Sequence, residues 1–391
     1  MNKKAFYFAQ LTDIHVGQSL NPIEAAANLK WALEELESLP LKPEVILATG
    51  DLVCAGKRSE LQKYSDLVKG CSIPIYALPA NHDLWGEPDD SAWLDIIGPL
   101  RQSLVINDVH FLIWNETQRD AKGGWIAELR QEQREWLESE MDMASEKPII
   151  IAQHCPPLSM NGNYHDRWRN SNADELLELL SQHNTLAIVT GHWHRNSEWH
   201  ANGIRVINTG ALCGWQWNGT PPHNCFPLRP GYRLFHFDGH TLRTFWRDGS
   251  YWQTPAPVVQ ITLVKIGNAY TGGPRPQVRP IDVFTKARLA VSVRAVQAEV
   301  VRVEWSLVQK DWHSMERTFD GIWSEWQAEI DPAEFHSAGE RTCIVRAEDA
   351  KGAKAYDAVP VRLAEYESAA MVPFVAQPGG EKTFELFYLP R

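Results

Sequence analysis

The sequence has no apolar run that approaches the roughly 20 residues needed to cross a bilayer as a helix, so a membrane span is not expected. Cysteine is sparse. Six cysteines (Cys54, Cys71, Cys155, Cys213, Cys225 and Cys343) are scattered with no Cys-x-x-Cys spacing, which excludes a disulfide framework and makes reduced thiols in a cytoplasm the expectation. An excess of positive charge is also missing: 38 basic against 49 acidic residues give a net charge of -11, with no electrostatic footprint for nucleic acid. The overall field repels anions, so an anionic substrate has to be drawn in by local cations. Internal repeats and low-complexity tracts are absent. The opening Met1-Asn2-Lys3-Lys4 is followed by only seven apolar residues, 5–11, and by no cleavage site, so this run is assigned to a first strand and not to a signal peptide.

What is present is an ordered set of five short motifs: Asp13-Ile14-His15, Gly50-Asp51, Asn81-His82-Asp83, Gln153-His154 and Gly191-His192-Trp193-His194. Each follows a strand-like apolar run, at 5–11, 45–48, 73–78, 149–152 and 186–189. Residues 23–39, 60–68, 131–143 and 172–182 carry helical periodicity between them. Alternation at this pitch predicts an α/β domain with a largely parallel core, in which the carboxyl ends of the strands collect the ligand-bearing side chains. Singly, an aspartate here could cap a turn and a histidine could be an ordinary surface residue. Jointly, the set offers carboxylate and amide oxygens with neutral imidazoles, a mixture that suits manganese, iron or zinc better than calcium. With Asp51 bridging, two ions about 3.5–4 Å apart could clamp a phosphoryl group. His110, His183, His200, His313 and His336 have no partners at such spacing and are read as structural.

The five motifs resemble those of the calcineurin-like metallophosphoesterase superfamily, over roughly residues 6–248. The resemblance implies a four-layer α-β-β-α sandwich of two mixed sheets flanked by helices. It implies a first metal held by Asp13, His15, Asp51 and His194, and a second by Asp51, Asn81, His154 and His192. It gives His82 the role of contacting the phosphate or protonating the leaving oxygen. The expected reaction is hydrolysis of a phosphodiester or phosphomonoester by metal-bound hydroxide, with Asp51 and His82 as the central catalytic pair and a small phosphorylated substrate. A metal-dependent nuclease and a non-catalytic adaptor are the alternatives. Two departures stand out. Ala80 replaces the usual glycine before Asn-His, and Cys54 stands where many members carry a second aspartate and purple acid phosphatases a tyrosine.

Two loops are candidate substrate contacts. Residues 161–170 hold His165, Arg167 and Arg169, and a guanidinium there could grip a phosphate or carboxylate bidentately. Residues 211–219 hold Trp215 and Trp217, which could form a platform for a base or sugar. A hairpin at 232–237 and 241–246, turned by Asp238-Gly239, is expected to close a catalytic domain at 1–254. A strand and Gly/Pro-rich linker follow at 255–280. Short alternating runs then predict a small all-β sandwich of immunoglobulin or fibronectin kind at 281–366, with an extension at 367–391.

Overall fold

A computed structural model describes residues 5–17, 19–20, 23–120, 124–157, 170–217, 225–227, 230–249, 257–266, 269–271, 281–283, 285–307, 311–335 and 339–363. The chain divides into two compact units, Met1–Ser250 and Tyr251–Arg391. No helix among the described residues is long and apolar enough to cross a membrane.

The first unit is built on eleven principal strands. They are β1 (Phe6–Leu11), β2 (Ile46–Thr49), β3 (Ile75–Leu78), β4 (Gln102–Ile106), β5 (Val109–Ile113), β6 (Ile149–Ala152), β7 (Thr185–Thr190), β8 (Ser197–Ala201), β9 (Ile204–Asn208), β10 (Gly231–Phe237) and β11 (Leu242–Asp248). One sheet runs β11-β10-β1-β2-β3 and the other β8-β9-β7-β6-β5-β4. The pairs β1–β2, β2–β3, β5–β6, β6–β7 and β7–β9 are parallel, and antiparallel pairs finish every edge except that of β3. The unit thus has the two mixed sheets with helices that the resemblance implies.

The apolar runs are continuous because both strand faces are buried. In β6, Ile150 and Ala152 join Phe6, Phe8, Leu47, Phe111, Val189 and Phe235 in the layer between the sheets. Phe8 stacks on Phe235 at 4.4 Å and meets Phe111 edge-on at 5.1 Å, the offset and T-shaped geometries that aromatic quadrupoles favour. The alternate residues Ile149 and Ile151 face Leu137, Met141, Leu176 and Leu180. These last belong to helices that follow α1 (Ala25–Ser38), α2 (Arg58–Val68), α3 (Asn81–Leu84) and α4 (Ser91–Ile96), namely α5 (Gln131–Ala144) and α6 (Ala173–Ser181). On the other sheet, Trp31 of α1 packs 5.7 Å from Tyr232 of β10.

Two hairpins carry turn signals that the sequence reading did not use. Asn107-Asp108 joins β4 to β5, and Asn202-Gly203 joins β8 to β9, all four residues at positive φ as a type I′ turn requires.

The second unit is a pair of five-stranded sheets. One orders Ala269–Thr271, Val258–Ile266, Ala287–Arg294, Ser324–Ile330 and Glu316–Asp320; the other orders Ile281–Val283, Lys354–Leu363, Gly339–Asp349, Val300–Ser306 and His313–Ser314. Leu289, Val291, Val303, Trp305, Trp326, Val345 and Val361 form one buried cluster drawn from both sheets. Residues 269–271 pair with 264–266 as a strand inside the stretch read as a linker. His336 and the extension at 367–391 lie outside the described residues.

Candidate metal centre

Every one of the five motifs leaves the carboxyl end of a strand: β1, β2, β3, β6 and β7. Hydrogen bonds between the departing backbones bring them together. Ile14 and His15 donate to the Asp51 carbonyl at 2.8 and 2.9 Å, Gly191 donates to the His154 carbonyl at 2.9 Å, and Cys213 donates to the Asp13 carbonyl at 3.0 Å. Below them a buried polar strut ties the sheets. Gln10 donates through Nε2 to Thr49 Oγ1 and to the Thr190 carbonyl, while its Oε1 accepts from Thr209 Oγ1 at 2.6 Å.

The side chains of Asp13, His15, Asp51 and His194 place one ligand atom each within 4.8 Å of one another, and Asp51, His154 and His192 do the same. Asp51 is common to both groups. All six are buried. His194 Nε2 lies 3.1 Å from Asp13 Oδ1 and 3.2 Å from His15 Nε2. His154 Nε2 lies 3.3 Å from Asp51 Oδ2 and 3.2 Å from His192 Nδ1. The ring orientation of His154 is fixed from behind, because its Nδ1 donates to the Thr49 carbonyl at 2.8 Å, as second partners of metal-binding histidines do. Asn81 is buried as well, and its Oδ1 has no hydrogen-bond partner among the described residues. A buried amide oxygen left without a donor is costly unless a cation completes it.

The charges tell the same story. Burial pushes the Asp13 carboxyl up, but the His194 and His154 imidazoles beside it outweigh that and hold it at about 2. Burial likewise opposes His154, yet Asp51 and Asp13 push it up to about 10. His194 is raised well above its ordinary value against its own burial, by Asp13 and Cys213. His15 is held well below it by burial and by His82. Two carboxylates sunk this deep among imidazoles call for positive charge, and divalent ions supply it while displacing the imidazole protons. The donor set fits such ions.

Three groups support the centre in roles that the sequence reading did not assign. Asp83 accepts from Val53 N at 3.0 Å and Ala80 N at 2.9 Å, closing the turn around Asn81-His82. Glu116, fully buried, accepts through Oε1 from His154 N at 3.0 Å and Cys155 N at 2.5 Å. Cys213 Sγ stands 4.0 Å from His194 Nδ1. Of the three, Glu116 carried a signal in its place, a charged residue three positions past the apolar run Val109–Ile113. Cys54 is half-buried, and its Sγ falls in a group with His15 and His82. His82 donates through Nδ1 to the Cys54 carbonyl at 2.6 Å, since a carbonyl can only accept, and its backbone N–H reaches Asp51 Oδ1 at 3.0 Å. His165, Arg167 and Arg169 lie outside the described residues. Trp215 and Trp217 sit in a two-stranded ribbon, Trp215–Trp217 with Cys225–Pro227, whose backbone alone is described.

Clustered oxygen and imidazole donors at the strand ends of two mixed sheets define a metal-dependent hydrolase of phosphoric esters. Residues 6–196 match the family model described as calcineurin-like phosphoesterase, which identifies the first unit as a member of that superfamily. It is 27% identical over 240 residues to the 3',5'-cyclic-nucleotide phosphodiesterase alr5338 of Nostoc sp., covering 60% of this chain and 89% of its counterpart. It is 26% identical over 212 residues to a probable glycerophosphodiester phosphodiesterase GpdQ of Arcobacter nitrofigilis, covering 52% and 77%. The 3',5'-cyclic adenosine monophosphate phosphodiesterase CpdA of Haemophilus influenzae is 27% identical over 258 residues, covering 63% and 85%.

Proposed function

We propose that the first unit hydrolyses a small phosphodiester with two divalent ions, manganese, iron or zinc. Asp13, His15, Asp51 and His194 would hold one ion and Asp51, Asn81, His154 and His192 the other. When bound, such a pair lowers the pKa of a coordinated water and neutralises charge on the phosphoryl oxygens. The remaining work falls to the chain. Asp51 joins the two groups and, through its contact with His82 N, sets the height of α3 over them. His82 holds its Nδ1 proton on the Cys54 carbonyl, so Nε2 is the atom that can give a proton to a departing alkoxide. The observation that carries the reading is the shared, fully enclosed Asp51 carboxylate.

Three relatives named as diesterases support a diester over a monoester. We read residues 1–254 as the catalytic domain, 281–366 as an immunoglobulin- or fibronectin-like accessory module, and the cytoplasm as its place. The test is turnover of bis(p-nitrophenyl) phosphate beside p-nitrophenyl phosphate by chelator-stripped protein with each metal restored. Metal-dependent cleavage that favours the diester and falls at least a hundredfold in Asp51→Asn is expected. Failure of the protein to bind any of these metals would overturn the reading.

A further inference from the structure

Trp85 closes the single turn of α3 and lies three residues after His82, which puts both side chains on one face of the turn. The two ring centroids are 3.9 Å apart with planes tilted by 46°. His15 meets the same imidazole edge-on at 4.6 Å, so the His82 ring is held between a site histidine and an indole. Trp85 is nevertheless 51% exposed, whereas Trp31, Trp93, Trp114, Trp193, Trp199 and Trp246 of the same unit are all buried.

The exposed indole stands on a built turn. A Cβ at Gly86 would come within 2.4 Å of the Ala55 carbonyl oxygen, and one at Gly56, where φ is +65°, within 2.7 Å of the His82 carbonyl oxygen. The segment after Asp51 and the turn carrying Trp85 are thus in backbone contact that only glycine permits. Arg119 clasps the turn from the other side, donating to the Leu84 carbonyl and, at 2.9 Å, to the Asp89 carbonyl. On the ribbon of Thr117–Arg119 with Trp125–Ala127, which packs against α3, Trp125 meets His192 edge-on at 5.6 Å.

We propose that Trp85 is a stacking platform for a planar aromatic group of the substrate, a nucleobase or aryl ring, bound beside the leaving oxygen that His82 faces. Stacking on an indole needs no sequence of hydrogen bonds and suits a fixed, half-exposed ring. The proposal rests on the reading of the centre as a diester hydrolase and sharpens it: a cyclic nucleotide offers such a ring and a glycerophosphodiester does not.

The experiment compares kcat/KM for adenosine 3',5'-cyclic phosphate and glycerophosphoethanolamine in wild type, Trp85→Ala, Trp85→Leu and Trp85→Phe with manganese. The ratio of the two is expected to fall about tenfold in the alanine and leucine variants, mainly through KM for the nucleotide, and to recover largely in phenylalanine. Equal loss on both substrates, carried by kcat, would leave Trp85 as a support for the His82 ring and overturn the platform, as would an unchanged ratio. Calorimetric binding of adenosine 5'-monophosphate against glycerol 3-phosphate separates the two claims. Selective weakening by Trp85→Ala with no metal-dependent turnover would sustain the platform and defeat the hydrolase, whereas turnover with unaltered nucleotide binding would do the reverse.

Discussion

Glu116 offers the sharpest test of how the second metal group is positioned. It has no place in the motif set, yet its Oε1 satisfies the backbone N–H groups of both His154 and Cys155, in a position with no solvent access. Glu116→Ala strands two buried backbone donors, each costing about 1–3 kcal/mol, while the Thr117 hydroxyl, 3.2 Å from the same oxygen, can rotate to another acceptor. Part of this is returned, because Oε2, which has no partner among the described residues, no longer has to be buried. A net loss of about 3 kcal/mol is expected from these opposing terms. Glu116→Gln keeps an acceptor of the same shape and should cost less than about 1 kcal/mol. The metal readout runs in parallel. Loss of the backbone anchor lets the His154 ring drift from Asp51, and removal of such an outer partner lowers metal affinity about 10- to 100-fold. Urea denaturation of stripped protein gives the first quantity and competition with a chromophoric chelator the second. Alanine and glutamine variants that behave alike in both assays would refute the argument, since only the alanine removes the acceptor.

Two further outcomes follow from the geometry. His82→Ala should lower kcat by about 10²- to 10⁴-fold on an alkyl diester but much less on bis(p-nitrophenyl) phosphate, whose leaving group needs no proton; equal losses on the two would remove His82 from the role of acid. Asp238 is opposed by its partial burial, but Arg243 and the N–H groups of Thr241 and His240 bring its carboxyl from 3.8 to about 2. A lowered folded value means that this contribution to stability is present above about pH 4 and is lost as the pH falls toward 2. Asp238→Asn should therefore flatten the melting temperature over that window, and a wild-type-like slope in the variant would count against it.

The strands bearing the motifs were legible because they are buried on both faces, and an unbroken run such as Ile149–Ala152 leaves little else to be. The edge hairpin at Asp238-Gly239 was legible too, but β4–β5 and β8–β9 were not, since half-exposed strands such as Gln102–Ile106 dilute the pattern. Their Asn-Asp and Asn-Gly turns were the available signal. Within the centre, histidine and aspartate advertise themselves by type. Glu116 and Trp85 do not, because their roles come from where distant backbone passes: the first is 38 residues from the histidine it anchors, and the second owes its exposure to a turn pressed against Ala55 and Gly56.

The backbone of the same aspartates and histidines reveals why the site must be supported so heavily. Asp13, His15, Asp51, His192 and His194 all have φ between 51° and 67°, the left-handed region that β-carbon sterics disfavour. At roughly 1 kcal/mol each, five such residues cost about 5 kcal/mol, comparable with the whole stability of a small domain. Glycine would relieve the backbone but bring no donor atom, whereas aspartate and histidine tolerate the region better than most residues. The curl they impose lets Asp13 and His15, two residues apart, converge in one group, and sends His192 and His194 to the two different groups that share Asp51. Hydrogen bonds from Ile14, His15, His192 and Cys213 backbone to Asp51 and Asp13 offset the strain in the absence of metal. Ions that bind only this folded arrangement stabilise it further by mass action, so the fold and the metal select each other.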